Sequence, residues 1–263
     1  MNDFSGLVVP LPTPFDETGG IDEPALARHL DFLSERGVRR VMVNGTTGEF
    51  FSTTPTERIR MLDVVRRRFE GTVVAHVSEL TSDGTVEAAR RAEDSGADAV
   101  VALPPIYPAD LPPSALIDWF GRLSEAAQLP LVLYNFPKHA GNAIVPKVLE
   151  AVEHVALKDS AKNAELIPFT PRYFVGSSSE LLSFAQRGAA GFVSAVANVR
   201  PELYSAFETL VLDARSADAL VLQEEIRSYA ARFSSSGIPG LKRTLSRRLP
   251  GGYPDRVRPP LTG

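Results

Sequence analysis

The sequence predicts a parallel α/β barrel, the (β/α)8 or TIM barrel fold, with additional helices at its C-terminal end. Short apolar runs alternate with longer amphipathic segments, eight such units follow each other at intervals of about 20–30 residues, and the strand-like runs stop beyond Pro201. A doubly wound sheet is the alternative, but no G-x-G-x-x-G motif follows the first strand. We therefore expect a single domain over residues 1–263, with the barrel at 1–197 and a helical extension at 198–263.

Each predicted strand is a short apolar run without helical periodicity. Pro10, Pro12 and Pro14 exclude a helix in the first run. Pro168 and Pro171 interrupt the segment between the sixth and seventh runs, so we expect only a stunted helix there. The predicted strands are 7–11, 40–43, 73–77, 99–103, 131–134, 155–158, 172–175 and 191–194.

Capping signals mark the predicted helices. Asp22 precedes Pro24, as is typical of a helix N-terminus, and Gly37 ends that first helix. Thr54 and Glu57 have the spacing of a capping box at the start of the second helix. The later helices are predicted at 86–92, from Ser114 onward, and at 181–185, 203–212, 217–233 and 241–249, and the tail from Pro250 is expected to be irregular.

The composition excludes several classes of protein. The chain has 263 residues, of which 44% are hydrophobic, and its 28 basic against 32 acidic residues give a net charge of −4, so no basic excess indicates a nucleic-acid or membrane partner. The absence of cysteine excludes disulfides, thiolate nucleophiles and cysteine-ligated metals. No signal peptide is visible, and no apolar run approaches the roughly 18 residues of a membrane span, so we expect a cytoplasmic protein.

Histidine spacing gives little support for metal chemistry. The chain has 4 histidines, and none forms an H-x-H or H-E-x-x-H motif. His76 ends a predicted strand, where we expect a hydrogen-bonded residue near the site rather than a ligand. A metal-dependent aldolase or hydrolase is therefore a weak alternative.

Lys158 ends an apolar run that is predicted to be a buried strand. Burial disfavours the ammonium form, so the pKa of this lysine is expected to fall from its usual value of about 10.4. A neutral amine in a desolvated pocket is a nucleophile suited to Schiff-base chemistry. The alternatives are that Lys158 reaches the surface or pairs with Asp159 as an ordinary ion pair at the strand end.

The barrel prediction brings further polar residues to the same rim, because catalytic groups of this fold gather at the carboxyl ends of the strands. Tyr134 ends the fifth strand and is a candidate general acid or base, with Thr47 and Tyr107 as candidate hydroxyl relays. A core tyrosine with a satisfied hydroxyl is the alternative for Tyr134. The glycine-flanked turn 45–48 offers backbone N–H groups to a carboxylate, although a plain tight turn has the same sequence pattern.

Three motifs, in this order and spacing, resemble the dihydrodipicolinate synthase/N-acetylneuraminate lyase family over nearly the whole chain. They are Gly45-Thr46-Thr47-Gly48-Glu49, Tyr134-Asn135-Phe136-Pro137 and Lys158-Asp159-Ser160, with Gly176 and 188–194 matching later motifs. The resemblance implies a class I, pyruvate-type aldolase on a barrel, usually in homotetramers, so we expect a homo-oligomer, dimer or tetramer. It also implies keto-acid and aldehyde substrates and no metal or organic cofactor.

The resemblance also implies roles for individual residues. Lys158 forms an imine with the keto carbon of pyruvate or a 2-keto acid, and Tyr134 shuttles protons. Thr46 and Thr47 hold the keto-acid carboxylate, and Thr47 joins the proton relay. Tyr107 resembles the tyrosine that completes this relay from a neighbouring subunit. A protonated imine acts as an electron sink that stabilises the enamine carbanion, which is consistent with these roles.

Departures from the family pattern narrow the expected substrate. Members that make the lysine precursor carry an arginine shortly after Tyr-Asn-x-Pro, whereas His139 stands there in this chain. A neutral imidazole cannot form the bidentate pair of arginine with an aldehyde's carboxylate, so dihydrodipicolinate synthase activity becomes the runner-up. Lys158-Asp159-Ser160 followed by Asn163, together with Tyr107-Pro108, looks more like 2-keto-3-deoxy-sugar-acid aldolases.

Two further alternatives stay open. The segment 49–52 is similar to keto-deoxyglucarate dehydratases, and a barrel that has lost its aldehyde site would be a keto-acid-binding regulatory protein. The hydroxyls at 177–179 are expected to face a sugar-acid chain. A phosphate is less favoured, because no Arg or Lys stands near them in this loop. The expected substrate-binding residues are Gly45, Thr46, Thr47, His139, Ser177, Ser178, Val193 and Ser194.

Overall fold

Eight parallel strands form a closed barrel in the order in which they occur along the chain. The computed structural model describes residues 4–233 and 236–262. Each strand begins and ends within one residue of its predicted bounds, so the barrel prediction is confirmed. The strands are β1 Gly6–Pro10, β2 Arg40–Val43, β3 Thr72–His76, β4 Ala99–Ala102, β5 Leu131–Asn135, β6 Ala156–Asp159, β7 Tyr173–Val175 and β8 Gly191–Val193.

The register of β5, β6 and β7 determines which side chains share a face of the sheet. Tyr134 is paired with Lys158, and Lys158 is paired with Phe174 on the other side. Since successive residues of a strand point to opposite faces, these three side chains share one face, and Asn135 and Asp159 lie on the other. At the ends of β5 and β6, one face of the sheet therefore carries Tyr134 and Lys158, and the other face carries Asn135 and Asp159.

Two of the helices begin at the capping residue that the sequence predicts. Asp22 accepts a hydrogen bond from the backbone N–H of Ala25 at 2.8 Å, and Thr54 and Glu57 form the expected capping box. The helices are α1 Glu23–Ser34, α2 Pro55–Arg68, α3 Ser82–Asp94, α4 Pro113–Ala126, α5 Pro137–Ala140, α6 Pro146–Ala151, α7 Leu181–Gln186, α8 Pro201–Leu212, α9 Ser216–Ala231 and α10 Gly237–Arg248.

One helix prediction needs correction, and two short helices are additional to those predicted. Ser114 does not cap α4, because the helix already begins at Pro113, where the fixed φ of proline favours the first helical position. The short helices α5 and α6 were not expected between β5 and β6; each begins with a proline. The connection between β6 and β7 is, as predicted, only a 3-10 helix, Ala164–Phe169, with Pro168 inside it.

The chain forms two compact units, and the single-domain organisation stays a prediction. One unit comprises residues 4–6, 74–177 and 183–193, and its core contains ring pairs such as Phe4 with Phe174, whose centroids lie 4.8 Å apart. The other comprises 7–73, 178–182 and 194–262 and includes α8, α9 and α10. Its largest fully buried side chains include Phe15, Phe69 and Phe207. In 4–233 and 236–262, no helix is both long and apolar enough to cross a membrane.

Candidate active site

Lys158 lies near the carboxyl end of β6 and is only 6% exposed. Its Nζ atom is 3.2 Å from the centroid of the Tyr134 ring. Burial lowers the pKa of Lys158, and the charge and hydrogen bonding of the Tyr134 side chain oppose that shift. The interpretation that this lysine reaches the solvent is therefore wrong, and burial shifts the amine toward its neutral, nucleophilic form.

Aromatic rings surround the tyrosine that contacts the lysine. The His76 ring meets Tyr134 edge-on at 6.3 Å, and Phe136 stacks on Tyr134 at 5.8 Å. His139 is exposed and packs edge-on against Phe136 at 4.3 Å, so it is linked to Tyr134 through this ring. These contacts fix the orientation of Tyr134 beside the lysine and reduce the water around both groups.

Asp159, the next residue of β6, is fully buried but faces away from the lysine. Its Oδ1 accepts hydrogen bonds from Asn135 Nδ2 at 2.9 Å and from the N–H of Ala161 at 2.8 Å. Its Oδ2 accepts hydrogen bonds from the N–H of Asn163 and from the Tyr173 hydroxyl, both at 2.6 Å. Asp159 therefore anchors the end of β6 to its neighbours, and the expected alternative of a strand-end pair with Lys158 is not supported.

Gly176 follows β7 at the point where this strand passes the end of β6. Its N–H donates to the carbonyl of Asp159 at 2.7 Å. A Cβ atom at this position would overlap the Ser160 hydroxyl, and the backbone of Ser160 also lies close to it. The glycine of this motif is therefore explained by a close backbone approach beside the lysine strand.

The turn that follows β2 belongs to the second compact unit. The residues Thr46–Gly48 form a 3-10 turn in which the N–H of Gly48 donates to Gly45 and the N–H of Glu49 donates to Thr46. Thr13, in the segment that follows β1, contacts the turn by donating a hydrogen bond from its Oγ1 to the carbonyl of Gly48 at 2.6 Å. Two of its N–H groups are thus used inside the turn, so contacts with a ligand carboxylate would come from Thr46 and Thr47, which are half-buried.

The hydroxyls after β7 and β8 meet a tyrosine that the sequence did not single out. Ser178 Oγ and Ser194 Oγ are 2.5 Å apart. Tyr204 of α8 is buried beside them, and burial raises the pKa of its phenol to about 12 although hydrogen bonding with both serines opposes the shift. The predicted residues Ser178, which is half-buried, and Ser194, which is buried, are therefore brought together in one hydroxyl cluster.

A cavity of about 760 Å³ adjoins this cluster within the second unit. Thr47, Ser178 and Ser179 supply polar groups to its wall, and α9 and α10 supply mostly apolar ones. Arg227 of α9 also lines it, with its Nε 3.4 Å from the carbonyl of Ser179 and a salt bridge of 2.9 Å to Glu224. The remaining lining residues are Glu180, Ala195, Val196, Ala230, Ala231, Phe233, Gly237, Ile238 and Leu241.

The other predicted site residues have distinct surroundings. Tyr107 follows β4 and is 94% exposed, with a left-handed backbone at φ 91°. Val193 is buried at the end of β8, and Ser177 is half-buried after β7. Gly45 is buried and begins the turn after β2.

Two further histidines, His29 and His154, contact residues that were not predicted to belong to the site. His29 is fully buried in α1 with its ring 5.3 Å from that of Tyr253, and burial lowers its pKa to about 4. His154 forms hydrogen bonds with the carbonyl of Val152 and the hydroxyl of Thr170. Among the described residues no three His, Asp or Glu side chains cluster as metal ligands do.

The sequence matches the model of the dihydrodipicolinate synthetase family over residues 3–263. The chain belongs to this family. Its members are lyases and aldolases, which agrees with the class of enzyme that the motifs indicate. The resemblance that the sequence motifs suggested is thereby confirmed.

Individual members of the family differ in their substrates. The chain is 33% identical to 4-hydroxy-tetrahydrodipicolinate synthase 1 of Streptomyces coelicolor, over 90% of this chain and 81% of that protein. Its fold is similar to that of Ruminococcus gnavus sialic acid aldolase, with a TM-score of 0.91 at 25% identity, covering 98% of this chain and 91% of the other. A variant of Sulfolobus solfataricus 2-keto-3-deoxygluconate aldolase gives a TM-score of 0.88 at 25% identity, covering 97% and 89%.

Several residues near the family's motifs escaped the sequence reasoning. Tyr173 and Tyr204 lie in a strand and a helix where aromatic residues are ordinary core residues, so nothing local marks them. Arg227 was not predicted, because this side chain comes from α9 and not from the loop that contains 177–179. Asn135 is the exception, because it stands beside Tyr134 in the family motif and so had a sequence signal.

Proposed function

We propose that this chain is a Schiff-base-forming lyase that cleaves or forms a carbon–carbon bond next to a keto acid, with the imine on Lys158. The observation that carries the proposal is the buried Lys158 amine, whose Nζ lies 3.2 Å from the Tyr134 ring centroid and whose pKa is lowered by burial. The keto-acid component is pyruvate, or a 2-keto-3-deoxy sugar acid in the cleavage direction. No metal or organic cofactor takes part in this proposal.

The reaction follows from the chemistry of a neutral amine. The Nζ of Lys158 attacks the keto carbon, and loss of water from the carbinolamine gives a protonated imine. Loss of a proton from the neighbouring carbon gives an enamine, which adds to the aldehyde carbon, and hydrolysis of the resulting imine releases the product and the amine. Tyr134 contacts Lys158 and carries a hydroxyl, so it is the candidate group for moving the protons of these steps.

The side chains at the expected substrate-binding positions favour a hydroxylated aldehyde, the product of sugar-acid cleavage, over aspartate semialdehyde. His139 is exposed and packs on Phe136, and a neutral imidazole offers no bidentate contact to a second carboxylate. The hydroxyls of Ser178 and Ser179 line the cavity and are suited to a hydroxylated chain. Dihydrodipicolinate synthase activity and a keto-deoxyglucarate-type dehydratase remain the second and third candidates, the former supported by the Streptomyces relative.

The proposal includes assembly and location. Tyr107 is 94% exposed in the isolated chain, and we propose that it completes a proton relay after insertion into a neighbouring subunit of a homodimer or homotetramer. Thr46 and Thr47 hold the carboxylate of the keto acid. We also propose a cytoplasmic location, which the composition supports because a chain with 0 cysteines has no disulfide framework.

Borohydride trapping with pyruvate tests the proposal directly. Borohydride reduces an imine to a stable secondary amine, so intact mass and peptide mapping will detect one adduct and locate it. We expect the adduct on Lys158, and we expect the variant Lys158→Ala to give none while remaining folded. Lys162→Arg is the matched control, because it removes an exposed amine four residues away and should trap like the wild type.

Each outcome of this experiment has a defined meaning. An adduct on Lys158 leaves the aldehyde to be identified from a panel that includes glyceraldehyde, glyceraldehyde 3-phosphate and aspartate semialdehyde. Aspartate semialdehyde as the best substrate would replace the sugar-acid proposal with the synthase. No adduct with folded protein, or aldolase activity retained by Lys158→Ala, would contradict the mechanism.

A further inference from the structure

A fully buried ion pair lies directly behind the turn that is proposed to bind the keto-acid carboxylate. Glu49 Oε1 pairs with Lys242 Nζ of α10, and both side chains are inaccessible to solvent. Glu49 Oε2 accepts a hydrogen bond from the N–H of Arg258 at 3.0 Å, and Lys242 Nζ donates to the carbonyl of Arg256 at 2.6 Å. This pair therefore joins the turn to both α10 and the C-terminal tail.

The backbone of the turn is left-handed at both of its ends. Asn44 has φ 61° and Glu49 has φ 57°, although neither is a glycine. Non-glycine residues adopt this conformation only at a cost in energy, so the surrounding contacts must stabilise it. The Asn44 side chain donates to the carbonyl of Arg58 at 2.9 Å, and the Glu49 side chain is held by Lys242 and Arg258. Thr46 and Thr47 lie between these two anchored residues.

The tail that supports Glu49 is itself firmly attached to the same unit. The Tyr253 hydroxyl donates to the carbonyl of Pro12 at 2.7 Å. The Arg258 guanidinium forms a pair of hydrogen bonds with the Glu57 carboxylate and lies 4.2 Å from the centroid of the Phe15 ring. Lys242 lies 4.4 Å from the same ring. The ion pair is thus enclosed by aromatic and charged groups rather than by solvent.

A contribution to stability is a poor explanation for such a pair. Removing two charges from water is costly, and replacing a buried ion pair with apolar residues of similar volume is often neutral or stabilising. What a buried pair provides more specifically is one defined geometry. We infer that Glu49 and Lys242 are positioning residues that hold Thr46 and Thr47 in place for the keto-acid carboxylate, an inference that rests on the proposed function for the role of those threonines.

The experiment separates a loosened turn from a generally destabilised protein. The variants are Lys242→Met, which keeps the length of the side chain without its charge, and the neutral double variant Glu49→Gln/Lys242→Met. The control is Leu149→Ala, which removes buried volume from α6 in the other compact unit. For each protein we would measure amide hydrogen exchange in a peptide covering 44–52 and the pyruvate concentration that gives half-maximal borohydride trapping on Lys158.

We expect Lys242→Met to accelerate exchange in 44–52 by tenfold or more and to raise the half-maximal pyruvate concentration by about tenfold. Trapping at saturating pyruvate should still reach Lys158, because the lysine itself is unchanged. Leu149→Ala should lower the thermal midpoint without either effect. If Lys242→Met does not fold, the double variant takes its place, since it leaves no unpaired charge buried, and the same two changes are expected there.

Two results would overturn the inference. One is exchange in 44–52 that matches the wild type in a folded variant; the other is an unchanged half-maximal pyruvate concentration despite a thermal midpoint as low as that of Leu149→Ala. If the wild type forms no adduct at all, the proposed function fails, and the exchange rates alone decide whether the pair holds the turn.

Discussion

Asp159→Asn should destabilise the end of the lysine strand strongly, because the carboxylate of Asp159 accepts hydrogen bonds at both oxygens. Oδ1 accepts from Asn135 and Ala161, and Oδ2 accepts from Asn163 and Tyr173. An asparagine has one acceptor oxygen and an NH2 group, so with NH2 in place of Oδ2 the N–H of Asn163 faces a donor and the Tyr173 hydroxyl no longer donates to a charged group. Hydrogen bonds to a charged group contribute about 1.5–3 kcal/mol each, so the loss of two predicts a decrease of about 3–6 kcal/mol in the free energy of unfolding.

Urea unfolding followed by circular dichroism would measure this decrease. Tyr173→Phe removes one donor and leaves the carboxylate in place, so it should cost only about 1.5–3 kcal/mol. The double variant should cost less than the sum of the two single variants, because the two residues share a hydrogen bond. A cost below about 1 kcal/mol for Asp159→Asn would refute the reasoning, since it would show that the four contacts are not all made in solution.

Three other predictions concern chemistry and pH. Tyr134→Phe should lower kcat far more than it raises the KM for pyruvate, and steady-state kinetics showing equal losses would reduce Tyr134 to a positioning role. Burial lowers the pKa of His29 from 6.5 to about 4, so the folded state binds fewer protons than the unfolded state between these pH values. The free energy of unfolding should therefore decrease as the pH falls through this interval, by about 3 kcal/mol in total. Unfolding curves at pH 6.5 and 5 should show this decrease, and His29→Gln should make it smaller. Extended dialysis against a chelator should leave aldolase turnover unchanged, and turnover restored only by added metal would contradict the cofactor-free proposal.

The strands and the lysine end of the site could be predicted because local sequence determines them. An apolar run that stops at Lys158 places this residue at a strand end whatever surrounds it, and the (β/α)8 alternation then assigns the carboxyl ends to one rim. The strand bounds were accurate for the same reason. The turn 45–48 was recognisable from its glycines, and at Gly48 a Cβ atom would lie only 3.1 Å from the carbonyl oxygen of Leu11, so this close approach favours glycine.

Contacts between distant segments could not be predicted in this way. Glu49 follows the glycine turn, but nothing near it indicates that its carboxylate pairs with Lys242, because that partner depends on how α10 packs. Arg227 reaches the carbonyl of Ser179 from α9, so the adjacent loop residues give no indication of this charge. Single-sequence patterns give the period of each element, whereas these pairs are set by the tertiary arrangement.

The adjacency of Lys158 and Asp159 shows how one strand supports two opposed requirements. A carboxylate beside the lysine amine would favour the ammonium form and raise its pKa, which would suppress nucleophilic attack. The period of two along β6 instead directs Asp159 to the opposite face, where hydrogen-bond donors stabilise its carboxylate, while Lys158 faces the Tyr134 ring. The same strand thus anchors its own end with a charge and keeps that charge away from the amine. A shift of one residue in the register would exchange the two side chains and abolish both effects.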